Sequence, residues 1–347
     1  MGKPSTLASD AQTGTDAASF LPVCARMSFA SDFGRRFIIF ADAEEEFDWN
    51  APFDRTQTAT KSIADLVPAT ARFNAAGVKP VYLCDYPVVN NLESGSILRA
   101  LVADGQCDVG TQLHPWVNPP FDEVVTSPNS YTGNLPLALQ KAKLIALTER
   151  IEAVIGVRPT VYRAGRYGLG PQTMTLLAEA GYKMDVSVRA LFDYQSDGGP
   201  DYSTFPVWPW RTAEGPVELP LSSAWTGFLR RYPGLHRSAR VRGTNTLRGA
   251  MARTGLLSRV PLTPEGVPLV DALEAIRGMH GDGVEVFSLS FHTPSVAIGH
   301  TPYVRDATDL KTFWDWWDGV FALFATLGVL PVSYDDLIAA MGSHPPA

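Results

Sequence analysis

The feature that most constrains the fold of this chain is a regular alternation of short apolar runs with amphipathic stretches of helical period. Short apolar runs bounded by turn residues are typical of buried strands, and apolar residues at three-to-four spacing are typical of helices. The predicted strands are residues 36–41, 79–84, 106–111, 160–163, 182–187, 217–221, 284–291 and 329–333. The predicted helices are residues 61–76, 97–103, 137–155, 171–181, 247–257, 270–279, 309–327 and 334–341. This alternation indicates a parallel α/β sheet, either a barrel or an open doubly wound sheet.

The size and composition of the chain are compatible with one large α/β domain. It has 347 residues, of which 45% are hydrophobic and 19% are charged. These proportions are typical of a globular protein, and α/β barrels commonly reach this length. The formal net charge of -7 argues against general nucleic-acid binding, because proteins that bind polyanions are usually basic.

The three cysteines are scattered and indicate a reducing compartment. Cys24, Cys84 and Cys107 form neither a disulfide framework nor a paired metal motif. No run of about 20 apolar residues predicts a transmembrane segment. The N-terminus lacks the charged and apolar regions of a secretory signal, so we expect a cytoplasmic protein.

The domain organisation is predicted from composition. Residues 1–32 are rich in small and polar residues and are interpreted as a flexible N-terminal leader, and residues 33–342 as one barrel domain. A basic insert is predicted at residues 222–282. Within it, residues 229–259 contain eight arginines and no acidic residue. This charge favours either a lid over an anionic substrate or a solvated surface that pairs with the acidic remainder.

Polar residues follow the predicted strands just past their C-terminal ends. These residues are Asp42, Glu44, His114, Arg163, Asp185 and His292. In a β/α barrel the C-terminal ends of all strands open onto one face, and that face carries the active site. We therefore expect these residues to meet in one cleft and the chain to be an enzyme.

An acidic segment follows the first strand. Residues 42–48 contain five carboxylates, which repel one another unless a divalent cation or an arginine lies nearby. Crowding of like charges also raises the pKa of a carboxyl group towards the range of a general base. The alternative interpretation is a solvated acidic turn.

Three later segments carry further candidate groups. His114 lies in a loop of prolines and aromatic residues and could bind a metal ion or act as an acid or base. Arg163 and Arg166 lie beside glycines and suit contacts with a carboxylate or phosphate, and Asp185 could pair with Arg163. His292 ends a long apolar strand and is either a general acid or a hydrogen-bonded core histidine.

Taken in order, these segments resemble the five motifs of the polysaccharide deacetylase family, the NodB-homology domain of carbohydrate esterase family 4. The likeness is greatest to the WalW-type subgroup and spans residues 36–337. The resemblance implies a distorted (β/α) barrel of seven to eight strands, of the NodB-homology and glycoside hydrolase–deacetylase type. It also implies hydrolysis of an N-acetyl amide on a sugar, so the expected partner is a carbohydrate substrate.

The resemblance assigns the acid–base roles residue by residue. Asp42 matches the catalytic base, and Arg163 matches the arginine that orients it. Asp185, with Ser187, matches the Asp-x-Ser motif, and Asp185 or another acid would orient the general acid. His292 matches that acid, which protonates the leaving amine.

The resemblance also implies a divalent metal, for which zinc is the first expectation. The expected ligands are Glu44, Glu45, Gln112 and His114. Two of them depart from the family pattern. Gln112 stands where a histidine is expected and binds zinc less well, and Glu44 replaces an aspartate. Asn118 or another residue would have to complete the set.

Substrate contacts are expected from Trp116, Asn118, Arg166 and Tyr167, with Trp116 stacking on a sugar face. Three functions remain open from the sequence. The first is a metal-dependent deacetylase, and the second, suggested by Gln112, is a metal-independent amidohydrolase on the same barrel. The third is a catalytically silent barrel that binds glycans.

Overall fold

The computed structural model describes residues 26–232, 251 and 254–342, in which strands and helices alternate. The strands are β1 Arg36–Ala43, β2 Val81–Cys84, β3 Asp108–Leu113, β4 Val161–Ala164, β5 Met184–Asp185, β6 Trp210–Arg211, β7 Val217–Glu218, β8 Ser223–Thr226, β9 Ser258–Pro261, β10 Val286–His292 and β11 Leu330–Pro331. The helices are α1 Leu66–Ala75, α2 Tyr86–Asn90, α3 Leu92–Ala103, α4 Leu137–Ile155, α5 Thr173–Glu179, α6 Leu269–Gly281, α7 Ala307–Thr326 and α8 Tyr334–Gly342.

The main sheet has the strand order β10-β1-β2-β3-β4-β5-β7-β6, and β11 pairs with the start of β1. From β10 to β7 all neighbouring strands are parallel, whereas β6 runs antiparallel to β7. A parallel order requires a crossover between successive strands, and the helices supply most of these crossovers. The C-terminal ends of the parallel strands therefore lie at one edge.

The sheet curls until its far end meets β10 again. Ser222, shortly after β7, donates its backbone N–H to the carbonyl of Ser288 at 3.0 Å. Leu262, just after β9, donates to Ser222 at 2.9 Å and accepts from Ser290 at 3.1 Å. These bonds lie along β10, whose other neighbour is β1. The chain therefore forms a distorted α/β barrel, as the sequence predicted.

The core lies on both faces of the parallel strands. Ile38 and Ile39 point to opposite faces of β1, and both are at most 1% exposed. On the outside, α7 packs aromatic rings against β1 and β10. Phe37 stacks on Phe324 with ring centroids 4.6 Å apart. In the part of the chain that the structure describes, no helix combines the length and the apolar character needed to span a membrane.

Helix boundaries follow from capping groups that the apolar period does not reveal. The third helix begins at Leu92, earlier than predicted, because the Asn91 side chain accepts from the N–H groups of Glu93 and Ser94. The short helix α2 was not predicted. It follows Asp85, whose side chain caps it by accepting from Val88 N.

The region predicted as one long structured loop and a basic insert contains an antiparallel hairpin. Strands β8 and β9 pair from Ser223–Pro261 to Thr226–Ser258. Most of the predicted helix 247–257 and most of the arginines of the basic insert lie outside the described residues. The insert therefore stays a prediction apart from this hairpin and α6.

The predicted leader is described only from Arg26 onward, and residues 1–25 lie outside the described part. Its last residues contact the barrel. Met27 donates its backbone N–H to Pro209 O at 3.0 Å. Phe29 is 9% exposed and stacks on Phe33. The end of the predicted leader is thus packed against the domain.

Candidate active site

The strand register brings the sequence-predicted residues together at the C-terminal edge of the sheet. Asp42 on β1 is the direct neighbour of His292 on β10. Gln112 on β3 is the direct neighbour of Arg163 on β4. These residues line one cavity of about 350 Å³. Four polar residues that are remote in sequence thus share one cleft because parallel strands end at the same edge.

Asp42 and Arg163 form a buried ion pair at the floor of the cavity. Arg163 Nη1 donates to Asp42 Oδ1 at 2.6 Å, and both side chains are at most 3% exposed. The same Nη1 also donates to Ser290 Oγ at 2.7 Å, and Nε donates to Val186 O at 3.2 Å. Contacts to β1, to β10 and to the residue directly after β5 fix the guanidinium, so the orientation of Asp42 is fixed as well.

His292 faces Asp42 and is held from behind by Glu265. Its Nε2 lies 3.8 Å from Asp42 Oδ2, and its Nδ1 lies 2.7 Å from Glu265 Oε2. Glu265 Oε1 accepts from His292 N at 3.1 Å and from Ser295 Oγ at 2.6 Å. Burial lowers the pKa of His292, but the carboxylates of Glu265, Glu44 and Asp42 outweigh it and raise that pKa to about 10. The imidazole is therefore protonated at neutral pH.

A second group of side chains occupies the other end of the cavity floor. Gln112 Nε2 donates to Glu44 Oε2 at 3.1 Å, and His114 Nε2 lies 3.7 Å from the same oxygen. All three side chains are buried. Among the described residues, Glu44 Oε1 and Gln112 Oε1 find no hydrogen-bond partner. Burial raises the pKa of Glu44 to about 7, although the nearby His292 and His114 act to lower it.

Glu45 lies behind His114 rather than beside Glu44. Its Oε2 lies 2.8 Å from His114 Nδ1, and its Oε1 accepts from Trp116 Nε1 at 2.9 Å. Its backbone N–H donates to Asp85 Oδ2 at 2.7 Å. Burial raises the pKa of Glu45 to about 8 and lowers the pKa of His114. In the tautomer with its proton on Nδ1, a neutral His114 donates to Glu45 and keeps the Nε2 lone pair free.

Two groups contain acids and a histidine close enough to share a cation. They are Asp42 with Glu44 and His292, and Glu45 with Asp85 and His114. The first group includes His292, whose protonated ring has no lone pair for a metal. In the second group, both carboxylate oxygens of Glu45 already bind His114 and Trp116. The unpartnered atoms instead combine Glu44 Oε1 and Gln112 Oε1 with His114 Nε2. Two oxygens and one imidazole nitrogen form a donor set that suits a divalent metal ion.

Asp185 does not contact either partner that the sequence suggested. Its carboxylate accepts from Ser187 Oγ at 2.6 Å and from Ser187 N at 3.1 Å. Burial raises its pKa, and Glu218 lies next to it. The acid that holds His292 is Glu265, and the acid paired with Arg163 is Asp42. Asp185 does end β5, as predicted, but its carboxylate binds Ser187 instead.

The expected substrate residues divide into two groups. Arg166 and Tyr167 line the cavity, with left-handed φ angles of 54° and 61° that are strained for residues with a side chain. Trp116 also lines it, although its ring is 2% exposed and stacks on His114 at 4.3 Å. Asn118 is different. It is fully buried and donates to Pro119 O and Lys143 O, so it supports the loop and does not line the cavity.

Glu265 is the main site residue that the sequence reasoning missed. It lies in the loop after β9, a short strand within a region rich in loops. The signal was an acid three residues after the short apolar run Val260–Leu262, a looser form of the pattern that identified Asp42 and His292. Aromatic side chains of the cavity wall were also missed. They include Phe47, Trp49, Phe53, Tyr194 and Tyr303.

Comparisons with known proteins show the fold but no family. No protein-family model matches the sequence, and no curated protein matches it. Among solved structures, a Mycobacterium smegmatis protein assigned as a polysaccharide deacetylase is 15% identical, with a TM-score of 0.51 over 92% of this chain and 93% of that chain. A Pseudomonas aeruginosa PAO1 protein with the same assignment is 14% identical, with a TM-score of 0.51 over 91% and 94%. The chain therefore has the curled α/β barrel of these structures.

Proposed function

We propose that this chain is a hydrolase that removes an N-acetyl or related acyl group from an amino sugar, as a member of the NodB-homology deacetylases. The observation that carries the proposal is the acid–base pair of Asp42 and His292, whose polar atoms lie 3.8 Å apart in the cavity. Each is held by a buried partner of opposite charge. The WalW-type subgroup and the cytoplasmic location stay predictions of the sequence.

Asp42 is the proposed base. It accepts a proton from the water molecule that attacks the amide carbon, and the Arg163 guanidinium keeps its free oxygen directed into the cavity. Asp42 Oδ1 is occupied by Arg163 at 2.6 Å, which leaves Oδ2 for this proton transfer. A general base must lie within hydrogen-bond reach of the proton that it removes. The arginine thus acts through Asp42 as a positioning residue.

His292 is the proposed acid. As the carbon–nitrogen bond breaks, its Nε2 donates a proton to the leaving nitrogen, and the products are the free amine and acetate. Glu265 binds Nδ1, so the proton that is given away is the one on Nε2, which faces Asp42. A raised pKa keeps this proton in place at neutral pH.

Glu44, Gln112 and His114 are the residues that would hold a divalent metal. Their unpartnered oxygens and the free Nε2 fit such an ion, whose charge would also offset the buried Glu44 carboxylate. A bound metal would supply Lewis-acid polarisation of the amide carbonyl and a lower pKa for a bound water. Glu45 orients the His114 ring from its other nitrogen, as carboxylates commonly do for histidine ligands. Zinc as the metal stays a prediction.

The test is release of primary amine from a panel of N-acetylated mono- and oligosaccharides by the purified chain. We expect release that stops after dialysis against a chelator and returns when a divalent metal is added. No release from any member of the panel, with or without added metals, would contradict the proposed function.

Gln112 supports a second candidate, a metal-independent amidohydrolase on the same barrel. Its amide is a weaker zinc ligand than the histidine it replaces, and its Nε2 already donates to Glu44. Amine release that is unaffected by chelation would favour this mechanism. Tight binding of glycans without any amine release would instead favour the silent glycan-binding barrel.

A further inference from the structure

A further cationic side chain, that of Arg189, lines the cavity. Arg189 follows the short strand β5 and lines the same cavity as Asp42 and His292. Arg189 was not part of any motif in the sequence and has no role in the proposed mechanism.

The guanidinium of Arg189 lacks a carboxylate partner, unlike the other cations near it. Those cations and their partners are Arg163 with Asp42 at 2.6 Å, Arg166 with Asp197 at 3.5 Å, and His292 with Glu265 at 2.7 Å. Among the described residues, no carboxylate oxygen lies within 4.0 Å of the Arg189 guanidinium. A half-buried cation without a counter-charge is costly, and a bound anion removes that cost.

Its hydrogen-bonding capacity is also largely unused. Within the described part of the chain its side chain makes one hydrogen bond, from Nη1 to the Tyr194 hydroxyl at 3.2 Å. The buried Nε has no partner. An arginine fork has five N–H donors that match the geometry of a carboxylate or phosphate. Several of these donors therefore remain for a ligand.

The position of Arg189 is fixed before any ligand arrives. The guanidinium carbon lies 4.1 Å from the centre of the Phe192 ring and 5.3 Å from that of Tyr167. The preceding backbone is also held, because Val188 donates to Glu218 Oε1 and accepts from Leu221 N. Such preorganisation reduces the entropy lost when an anion binds.

We propose that Arg189 is a specificity-determining residue that binds an anionic group of the substrate, so that the cavity takes a negatively charged N-acylated sugar in preference to a neutral one. The inference takes the sugar and its acyl amide from the proposed function, whereas the contact with the anion depends on Arg189 alone. The anionic group on the sugar is a carboxylate or a phosphate.

The test compares ligands that differ mainly in charge. N-acetylmuramic acid is paired with its methyl ester, and N-acetylglucosamine 6-phosphate with N-acetylglucosamine. Binding to the full chain is measured by calorimetry. We expect at least one charged ligand to bind roughly 10- to 100-fold more tightly than its neutral partner, the range of a charge-assisted hydrogen bond. Preference in the first pair identifies a carboxylate, and preference in the second a phosphate.

Arg189→Met should reduce this preference to about twofold or less while leaving the affinity for the neutral ligand unchanged. Arg189→Lys, which keeps the positive charge, should retain part of the preference for the charged ligand. The matched control is Arg259→Met, because Arg259 stacks on the same Phe192 ring at 4.3 Å but does not line the cavity. The control should keep the full preference.

Four results would overturn the inference. They are equal binding of both members of each pair, an unchanged preference in Arg189→Met, equal weakening of charged and neutral ligands, and the same loss in Arg259→Met. Amine release is followed in the same samples. Release without charge preference would contradict the inference alone, whereas charge-selective binding without release would contradict only the proposed function. Absence of all binding would contradict both.

Discussion

At the scale of single residues, the site depends on two charged groups, one negative and one positive, and each is paired with a side chain of opposite charge. The Asp42 carboxylate is held by the Arg163 guanidinium, and the protonated His292 ring is held by the Glu265 carboxylate. Each partner is fixed by further hydrogen bonds to the barrel, so the polar atoms that face one another cannot turn away. The chemistry of each group therefore depends on the buried residue that holds it.

The pH dependence of activity should report on the pair of His292 and Glu265. The pKa of His292 is raised to about 10, so the acid loses its proton, and activity falls, only as the pH rises through this value. Glu265→Gln keeps a hydrogen-bond acceptor but removes the charge, and the alkaline limb should move to lower pH by about one unit or more. The measurement is the pH profile of kcat/KM.

The half-exposed Glu285 is a suitable control for this experiment, because its side chain pairs with Arg26 at the surface and does not line the cavity. Glu285→Gln should leave the profile unchanged. An alkaline limb that stays in place in Glu265→Gln would show that Glu265 does not set the proton affinity of His292.

Breaking the buried ion pair should also lower stability. Arg163→Met leaves the buried Asp42 carboxylate without its partner, which is expected to cost about 3–5 kcal/mol in the free energy of unfolding. Arg158→Met, which removes a half-exposed pair with Glu152, should cost about 1 kcal/mol or less. Urea unfolding of both variants measures the two values. Similar losses in both would contradict the structural role of Arg163.

At the scale of elements, strands and turns place these residues, and the sequence predicted the strands better than the turns. Apolar runs identified β1, β3, β4 and β10, and the residues at their ends do line the cavity. The hairpin of β8 and β9 was missed because its apolar content is low and its pairing is settled by contacts with distant segments. Glu265 follows that hairpin and was missed with it.

The turn after β4 packs closely against the end of β3 at Gly165, and a substitution there tests whether this close contact is needed. A Cβ atom at this position would meet the His114 ring and would lie 2.7 Å from Leu113 O. Gly165→Ala should therefore displace His114, cost about 1–3 kcal/mol in stability and reduce metal content. Unfolding curves and metal analysis of the variant measure both effects.

The control for this variant is Gly281→Ala, because a Cβ atom there has no neighbour within 4 Å. This change should leave stability and metal content close to those of the unchanged chain. Full metal content and stability in Gly165→Ala would contradict the proposed packing of the turn on His114.

At the scale of the whole molecule, β10 pairs directly with β1 although the two strands are far apart in the chain, and curling of the sheet brings its other end back to β10. The alternation of elements predicted this fold class, since few topologies accommodate parallel strands joined by helices. It could not predict side-chain direction. Asp185 and Asn118 occupy positions next to the site yet bind other partners, because their neighbours depend on the completed barrel.

The metal should be held jointly by the C-terminal ends of β1 and β3, since Glu44 directly follows β1, Gln112 lies in β3 and His114 directly follows β3. We expect about one divalent ion per purified chain and its loss in His114→Ala. His300→Ala is the control, because His300 pairs with Glu46 and is not in the donor set. Elemental analysis of the three proteins gives the result. Equal metal content in all three would contradict the assignment of His114.

The most direct test of the central claim is the stoichiometry of acetate and free amine that the purified chain releases from an N-acetylated sugar, compared with Asp42→Asn. The proposed hydrolysis predicts one acetate for each amine in the unchanged chain and loss of both products in the variant. Binding of the sugar should persist in the variant. Equal product formation in both proteins would contradict the role of Asp42, and the absence of both products from both proteins would contradict the hydrolase itself.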